Sequence, residues 1–288
     1  MRNTPSNQTL SKIEKVGIIF KPSSFDLKNT YLEIIENIKA AQLEIFYERN
    51  SAKLLNLDGY DFDYLCKTCD ILISLGGDGT LISVSRRSCK YEIPVLGVNL
   101  GTLGFLTDIM PQELPKFLDN LKSNNYRIDA RMMIEATANL NSFIAFNDFV
   151  ITRKNINSMV RIDAKIDGKQ FNTYHGDGLI ISTPTGSTAY NLSTGGPVVY
   201  PLTEAFVVTP ISPHSLTQRP LVLPGDFEIE LSTPDKQGAV MIMDGQDIYN
   251  IEQHEIIKIK VAQHKARLLH RLERNYFSVL NEKLHWGH

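Results

Sequence analysis

The chain has 288 residues, enough for one large domain or two smaller ones. Apolar residues make up 42% and charged residues 22%, with 30 Lys and Arg against 32 Asp and Glu, a net charge of −2. That balance offers no electrostatic footprint for nucleic acid or an acidic membrane, and no apolar run approaches the ~20 residues of a membrane helix.

Residues 1–8 are polar and lack an apolar signal core, and the first ten or so residues are expected to form a frayed tail. Residues 15–20 (KVGIIF) read as a first strand. Residues 30–41 have helical spacing, with Leu32, Ile35, Ile38 and Lys39 separating into two faces. Residues 43–46 read as a second strand. The apolar run Ile71-Leu72-Ile73 then leads into Leu75-Gly76-Gly77-Asp78-Gly79-Thr80, and Leu81-Ile82-Ser83-Val84 opens a helix to about Arg87. Strand, tight glycine turn and helix start are the reading. Three glycines around one carboxylate let the backbone approach a phosphate, because no Cβ stands in the way. The first N–H groups of the helix point at the same spot. Asp78 is the anomaly. An anion inside an anion cradle repels its ligand by about 4 kcal/mol for unit charges ~4 Å apart at an intermediate dielectric. It is tolerable if it holds a cation or takes a proton, and both jobs belong to phosphoryl transfer.

Residues 93–99 read as another buried strand, and this β-α-β-α-β rhythm predicts a parallel sheet flanked by helices. Gly97, Gly101 and Gly104 loosely imitate a dinucleotide fingerprint. Their spacing is not G-x-G-x-x-G, and no acidic partner sits at the expected distance. A close-packed loop at the C-terminal edge of the sheet is the better reading, and ligands of open α/β sheets bind at that edge. Residues 111–121 predict a helix opened by Pro111 and Glu113.

After about Asn125 the texture changes. Residues 127–140, 143–153 and 160–167 alternate polar and apolar side chains, with turn signals at Asn141-Ser142, Asn155-Ile156-Asn157 and Asp167-Gly168. Residues 227–231, 239–243 and 256–261 continue the trend, which predicts an antiparallel β-rich domain. The expected fold is therefore an α/β, Rossmann-like N-terminal domain with the glycine loop over residues 1–125. A β-rich, sandwich-like, dinucleotide-binding domain would cover 126–270, and residues 271–288 would return to the first domain.

The second chemical block is residues 176–197, GDGLIISTPTGSTAYNLSTGGP, where an apolar run ends in dense Ser, Thr and Gly. Hydroxyls and free backbone N–H groups together suit a sugar or pyrophosphate, and Tyr190 adds a flat face for stacking. A helix N-cap after a strand is the competing reading. Asn147-Asp148 is a polar pair in an apolar strand, so it must be hydrogen-bonded or face a ligand; a strand-end turn competes. Asp244-Gly245-Gln246 looks first like a hairpin turn.

No Gly-Lys-Ser or Gly-Lys-Thr, no Gly-x-Ser-x-Gly and no His-x-x-x-His occurs. Cys66 and Cys69 have metal or redox spacing, but with Cys89 they are the only cysteines, no second pair exists, and a structural role in a reduced compartment is the reading. Of the seven histidines, His175 stands out because it precedes Gly176-Asp177, whereas His254, His264, His270, His285 and His288 carry no signal.

These blocks, in this order, resemble the NAD kinase family, which shares its glycine-loop domain with diacylglycerol, sphingosine and 6-phosphofructo-kinases. Gly-Gly-Asp-Gly-Thr alone is common to the lipid kinases, while residues 176–197 together with Asn147-Asp148 and Asp244-Gly245-Gln246 are more specific to NAD kinases. The resemblance implies transfer of the γ-phosphoryl group of ATP to the 2′-hydroxyl of the adenosine ribose of NAD, giving NADP. It implies Mg²⁺ or another divalent ion, a homo-oligomer (often a tetramer) and a cytoplasmic setting. By motif matching, Asp78 is the catalytic aspartate and Asp78-Gly79 touch the substrate. Asn147 and Asp148 would hold the adenosine part. Asp177, the run Thr188, Ala189, Tyr190, Asn191, Leu192 and Ser193, and Gln246 would complete the dinucleotide site. His175 stands where relatives often have a basic residue, and Ser158 where many bacterial relatives have histidine. The alternatives are a lipid kinase using the same loop and a sensor that binds a dinucleotide without turnover.

Overall fold

The computed structural model describes residues 10, 12–20, 28–102, 104–155 and 157–285. Of the first ten or so residues, expected to fray, 1–9 lie outside the described residues, as do Leu103, Ile156, Trp286, Gly287 and His288. In chain order the elements begin with β1 (Lys15–Phe20), α1 (Lys28–Ala40), β2 (Glu44–Tyr47), α2 (Arg49–Lys53), α3 (Phe62–Thr68), β3 (Ile71–Gly76), α4 (Asp78–Ser88), β4 (Val95–Asn99), α5 (Leu114–Lys122) and β5 (Arg127–Arg131). The β-rich stretch follows: β6 (Ile134–Ala138), β7 (Asn141–Ala145), β8 (Asp148–Arg153), β9 (Val160–Ile166), β10 (Lys169–Gly176) and β11 (Gly178–Ser182). After the single turn α6 (Tyr190–Ser193) come β12 (Ala205–Ile211), β13 (Leu221–Pro224), β14 (Ile229–Ser232), β15 (Ala239–Met243), β16 (Asp247–Ile251) and β17 (Ile257–Val261). The chain closes with β18 (Ala266–His270) and α7 (Tyr276–Leu284).

Two compact units result. One holds the described residues up to Ala130 and from Ala266 onward, and the other is Arg131–Lys265. In the first unit, six strands form one sheet in the order β2-β1-β3-β4-β18-β5. β1, β2, β3, β4 and β18 pair in parallel. Every residue of β3 and β4 is buried, as expected of parallel strands covered on both faces, and this is why they read as unbroken apolar runs. α1 buries Tyr31, Ile34, Ile35 and Ile38, an i, i+3, i+4, i+7 stripe, while Leu32 is 45% exposed and belongs to the other face. The helix expected over 111–121 opens as a 3₁₀ turn at Pro111–Glu113, where Glu113 Oε2 accepts from Met110 N at 2.9 Å, and continues as α5.

The second unit is a sandwich of two six-stranded sheets, β10-β9-β14-β17-β6-β7 and β13-β12-β11-β8-β15-β16, whose recorded pairings are antiparallel. Their inner faces enclose one core containing Ile134, Phe149, Ile151, Leu179, Ile181, Phe206 and Met241. The α/β-plus-β-sandwich expectation therefore holds. One detail differs. The alternation over 127–140 breaks at Met132-Met133, and β5 joins the first sheet while β6 joins the sandwich. Period-two patterning assigns faces to a strand, not the sheet that receives it.

Candidate active site

β3 delivers the chain to Gly77, the extended residue that starts α4, so Asp78 occupies the first helical position. A Cβ on Gly76 would lie 2.4 Å from Thr80 Oγ1, so the turn closes only with glycine there, while Gly77 and Gly79 face open space. The Asp78 side chain is half-buried and heavily bonded. Its Oδ2 accepts from Phe105 N at 2.8 Å, and its Oδ1 accepts from Thr107 N and Thr107 Oγ1, both at 3.0 Å. Leu106 N is shared between the two oxygens at 3.3 Å. Three successive amides thus converge on one carboxylate, an anion nest built by the loop after β4. A Cβ on Gly104 would come within 2.0 Å of Asp78 Oδ1, so glycine is required at that approach. The loop read as close-packed is Asp78's holder.

Behind this loop lies a charge cluster that sequence reasoning passed over. The Arg274 guanidinium donates to the carbonyls of Phe105 and Leu106, the latter at 2.8 Å from Nη1, and stands 3.4 Å from Asp108 Oδ2. Its Nη1 also lies 2.8 Å from Nδ1 of His270. A guanidinium has no acceptor, so His270 Nδ1 receives that proton, and Nε2 carries the ring's own hydrogen toward Asp129 Oδ2, 3.7 Å away. Burial, with the Arg274 charge behind it, pushes His270 down to about 4, so the ring is neutral at pH 7. His270 is only 1% exposed, which corrects its reading as a histidine without signal. Arg271 pairs with Glu113 at 2.7 Å. No local pattern marks these residues; they meet because β18 inserts into the first sheet and carries the chain behind the loop.

In the second unit, Asn147 and Asp148 precede and open β8, Ser182 ends β11, and the Asp244 turn follows β15. The registers Asp148↔Ser182 and Met243↔Phe149 bring all three to one end of the sheet. Asp244 and Gly245 have φ of 51° and 65°, and Gln246 N bonds Met243 O at 2.8 Å, so the expected hairpin turn is present and is type I′. Asp244 has a second job. Its carboxylate accepts from Phe146 N at 2.9 Å, Asn147 N at 2.7 Å and Asp148 N at 3.1 Å. Sequence reasoning missed this bond set, which crosses nearly a hundred residues. Asn147 Oδ1 is buried without a hydrogen-bond partner among the described residues. Asp148 is 4% exposed, and burial, helped by the Asp244 carboxylate, pushes it up to about 7. Gln246 is exposed on the same turn.

The Ser/Thr/Gly block continues from that end of the sheet. Thr183 Oγ1 donates to Phe146 O at 2.8 Å and accepts from Gly186 N at 3.0 Å. Ser187 and Asn191 are fully buried. Asn191 Nδ2 donates to Ser187 O and Pro197 O at 2.9 and 3.1 Å, and its Oδ1 accepts from Thr209 at 2.6 Å. Asn191 is thus the knot of the loop, while Thr188, Ala189 and Leu192 are half-buried and Tyr190 and Ser193 exposed. His175 and Asp177 lie elsewhere. Asp177 precedes the opposite end of β11 and pairs with Arg153 at 2.5 Å, and His175 is exposed beside the His214 ring. β11 has five residues, and a rise of about 3.4 Å per residue separates its ends by roughly 14 Å.

Two family descriptions match the chain. The ATP-NAD kinase N-terminal domain covers residues 16–126 and the ATP-NAD kinase C-terminal domain covers residues 146–271. The NAD kinase of Sulfurimonas denitrificans is 48% identical over 279 residues, covering 96% of this chain and 98% of the relative. That of Wolinella succinogenes is 47% identical over 284 residues, covering 97% and 98%. The chain belongs to the NAD kinase family. Among solved structures, a yeast NADH kinase complexed with NADH superposes with a TM-score of 0.89 at 26% identity, covering 96% of this chain and 89% of that one. An Archaeoglobus fulgidus NAD kinase in complex with ATP shares the fold at a TM-score of 0.77 and 23% identity.

NAD kinase activity is the phosphotransfer expected from the sequence, in which ATP's γ-phosphoryl group moves to the 2′-hydroxyl of the adenosine ribose of NAD; the lipid-kinase and sensor readings are not favoured. All three thiols are free and buried, and burial pushes Cys66 and Cys69 up to about 12, far from the reactive thiolate range. Among the described residues no three His, Cys, Asp or Glu side chains converge into a metal cage, and no helix is long and apolar enough to cross a membrane.

Proposed function

We propose that Asp78 is the catalytic residue of the phosphoryl transfer, taking the proton of the ribose 2′-hydroxyl as the new O–P bond forms and the bond from the γ-phosphorus to the β-phosphate oxygen breaks, with ADP leaving. A secondary alcohol is a poor nucleophile until its proton has somewhere to go. The observation that carries this reading is a carboxylate fixed by three backbone amides at a helix N-terminus with open space at Gly77 and Gly79 beside it. Oδ1 already has two short donors, whereas Oδ2 has one, so Oδ2 keeps the lone pair that meets the hydroxyl. The amides at the start of α4 supply the electropositive surface for the transferring phosphoryl group.

The sandwich unit supplies the dinucleotide site. Asn147 and Asp148 hold the adenosine part, with Asn147 Oδ1 the acceptor in need of a donor. Gln246 and the surface of the 188–193 loop complete it, Tyr190 offering its exposed face for stacking and Asn191 acting by holding the turn. Asp177 and His175 stand at the far end of β11, roughly 14 Å away, where they meet the part of the dinucleotide remote from the adenosine, and a homo-oligomer remains part of the reading on the family resemblance. Ser158 lies near the Asp177 end, lining a cleft with Arg153 and Lys236. The side chains described do not themselves make a Mg²⁺ cage, so a divalent ion is assigned to the phosphates of ATP, where Mg²⁺ usually keeps most of its waters. Three free thiols support a reducing, cytoplasmic setting.

The test is a coupled assay for NADP formation from NAD, ATP and Mg²⁺ with Asp78→Asn alongside. The wild type makes NADP and the variant binds NAD but turns over slowly. A variant with wild-type kcat removes Asp78 from the chemistry.

A further inference from the structure

Asp78 is gripped by backbone amides, and those amides are gripped in turn. Leu106 N and Phe105 O belong to one peptide unit; Thr107 N and Leu106 O belong to the next. Among the described residues no peptide bond is cis, and a trans peptide points its N–H and C=O in opposite directions. On one side both N–H groups meet Asp78, and on the other both carbonyls meet Arg274. The order guanidinium, two peptide dipoles, carboxylate runs positive to negative throughout, so each contact polarises the next. The Arg274 side chain is 5% exposed and held by His270 Nδ1 and Asp108, so its fork is locked before any substrate arrives.

We infer that Arg274 is a positioning residue for the phosphoryl transfer, fixing the Asp78 carboxylate through the Phe105–Leu106 and Leu106–Thr107 peptides. This rests on Asp78 being the group that takes the hydroxyl proton. A fork with two donors is what sets both peptide planes at once. A lysine in its place keeps the charge and loses the second bond, so it holds one plane and frees the other. Arg274 itself meets the loop carbonyls, His270 and Asp108 behind the nest, so the effect falls on turnover more than on affinity.

The experiment is a double-mutant cycle. Steady-state and single-turnover rates, the latter with enzyme in excess so that slow variants stay measurable, are compared for wild type, Arg274→Gln, Asp78→Asn and the double variant. Arg274→Lys serves as the milder substitution, and Arg271→Gln as a control that breaks the neighbouring Glu113 pair without touching the two bridging peptides. Arg274→Gln is expected to lower kcat by roughly 10- to 100-fold with KM for both substrates nearly unchanged, since small misplacements of a reacting group cost that much. Arg274→Lys falls between it and wild type, and Arg271→Gln stays near wild type. In the Asp78→Asn background, Arg274→Gln changes the rate by less than about twofold, because coupled residues do not add. The inference is overturned if Arg274→Gln keeps wild-type kcat, or lowers it by the same factor with and without Asp78. If Arg274→Gln does not fold, the Lys variant decides: wild-type kcat there overturns the inference, and a kcat-specific loss that vanishes in the Asp78→Asn background supports it. Wild-type kcat in Asp78→Asn itself breaks the reading of Asp78, a different outcome from an unaffected Arg274 variant beside a crippled Asp78→Asn.

Discussion

Asp78 and Asp244 are held by the same device in two units of the molecule. Each stands just beyond a strand and just before a glycine, and each gathers the N–H groups of three successive residues, 105–107 for one and 146–148 for the other. What lies behind the amides differs. Behind 105–107 is a buried cation, Arg274. Beside 146–148 is a second acid, Asp148, pushed up to about 7 by burial and by Asp244 itself. The comparison teaches that an amide nest is a neutral fixture. In the first, a cation backs the amides and steadies the carboxylate they hold; in the second, burial and the held carboxylate together load a neighbouring acid with a proton.

Turnover should separate the two most. Asp78→Asn is expected to lower kcat by roughly 10²- to 10⁴-fold, the usual share of general base catalysis, while the melting temperature stays near that of the wild type. Asp244→Ala should do the reverse. It strands three amides and is expected to cost roughly 3–5 kcal/mol of stability in urea unfolding, with a higher KM for NAD because Asn147 and Asp148 lose their anchor. If Asp244→Ala instead left stability intact and abolished kcat, the two nests would have been assigned the wrong jobs.

How far the sequence announced this contrast depends on distance along the chain. The glycine loop was legible because strand, turn and helix are contiguous, and the Asp244 turn because Asp-Gly is local turn chemistry. The grip on either carboxylate was not, since the amides for Asp78 lie 27 to 29 residues away and those for Asp244 lie 96 to 98 away. Strand β12 escaped for a different reason. It contains Pro210, which argues against a central strand, but β13 pairs only with residues 205–208, so Pro210 sits where β12 is locally an edge. β10 escaped because it is an edge strand whose first three residues are all exposed, leaving no alternation to read.

Titration offers a smaller contrast. Between about pH 4 and 7 a carboxyl raised to about 7 in the fold is protonated in the native state, while the unfolded chain, with its ordinary carboxylate value, is ionised. Its contribution therefore declines as pH rises from about 4 to 7, and above that the native state carries a buried charge. Asp148→Asn should then raise the stability of the ligand-free protein at pH 8 by roughly 2–3 kcal/mol and leave it little changed at pH 4, read by urea midpoints. His270 works in the opposite sense. Its native value near 4 lies below the ordinary 6.5, so the unfolded chain takes up the proton first, and stability is lost as pH falls through that window. Smallest of all is Thr107→Val, which removes one hydroxyl donor from Asp78 and leaves the three amides. A fall in kcat of about fivefold, the worth of one hydrogen bond, is expected. A loss as large as that of Asp78→Asn would mean the hydroxyl, not the amide nest, steadies the carboxylate.

β18 slots between β4 and β5, pairing Leu268 and Leu269 with Val95 and Leu96. A ribosome finishes the whole sandwich segment before it releases the strand that fills this gap. During synthesis β4 therefore waits with an open flank, an adhesive edge in a crowded cell, until residues 266–270 emerge. Premature termination anywhere before Ala266 would leave that flank uncovered, so nonsense products of this chain should be sticky and quickly degraded rather than partly active.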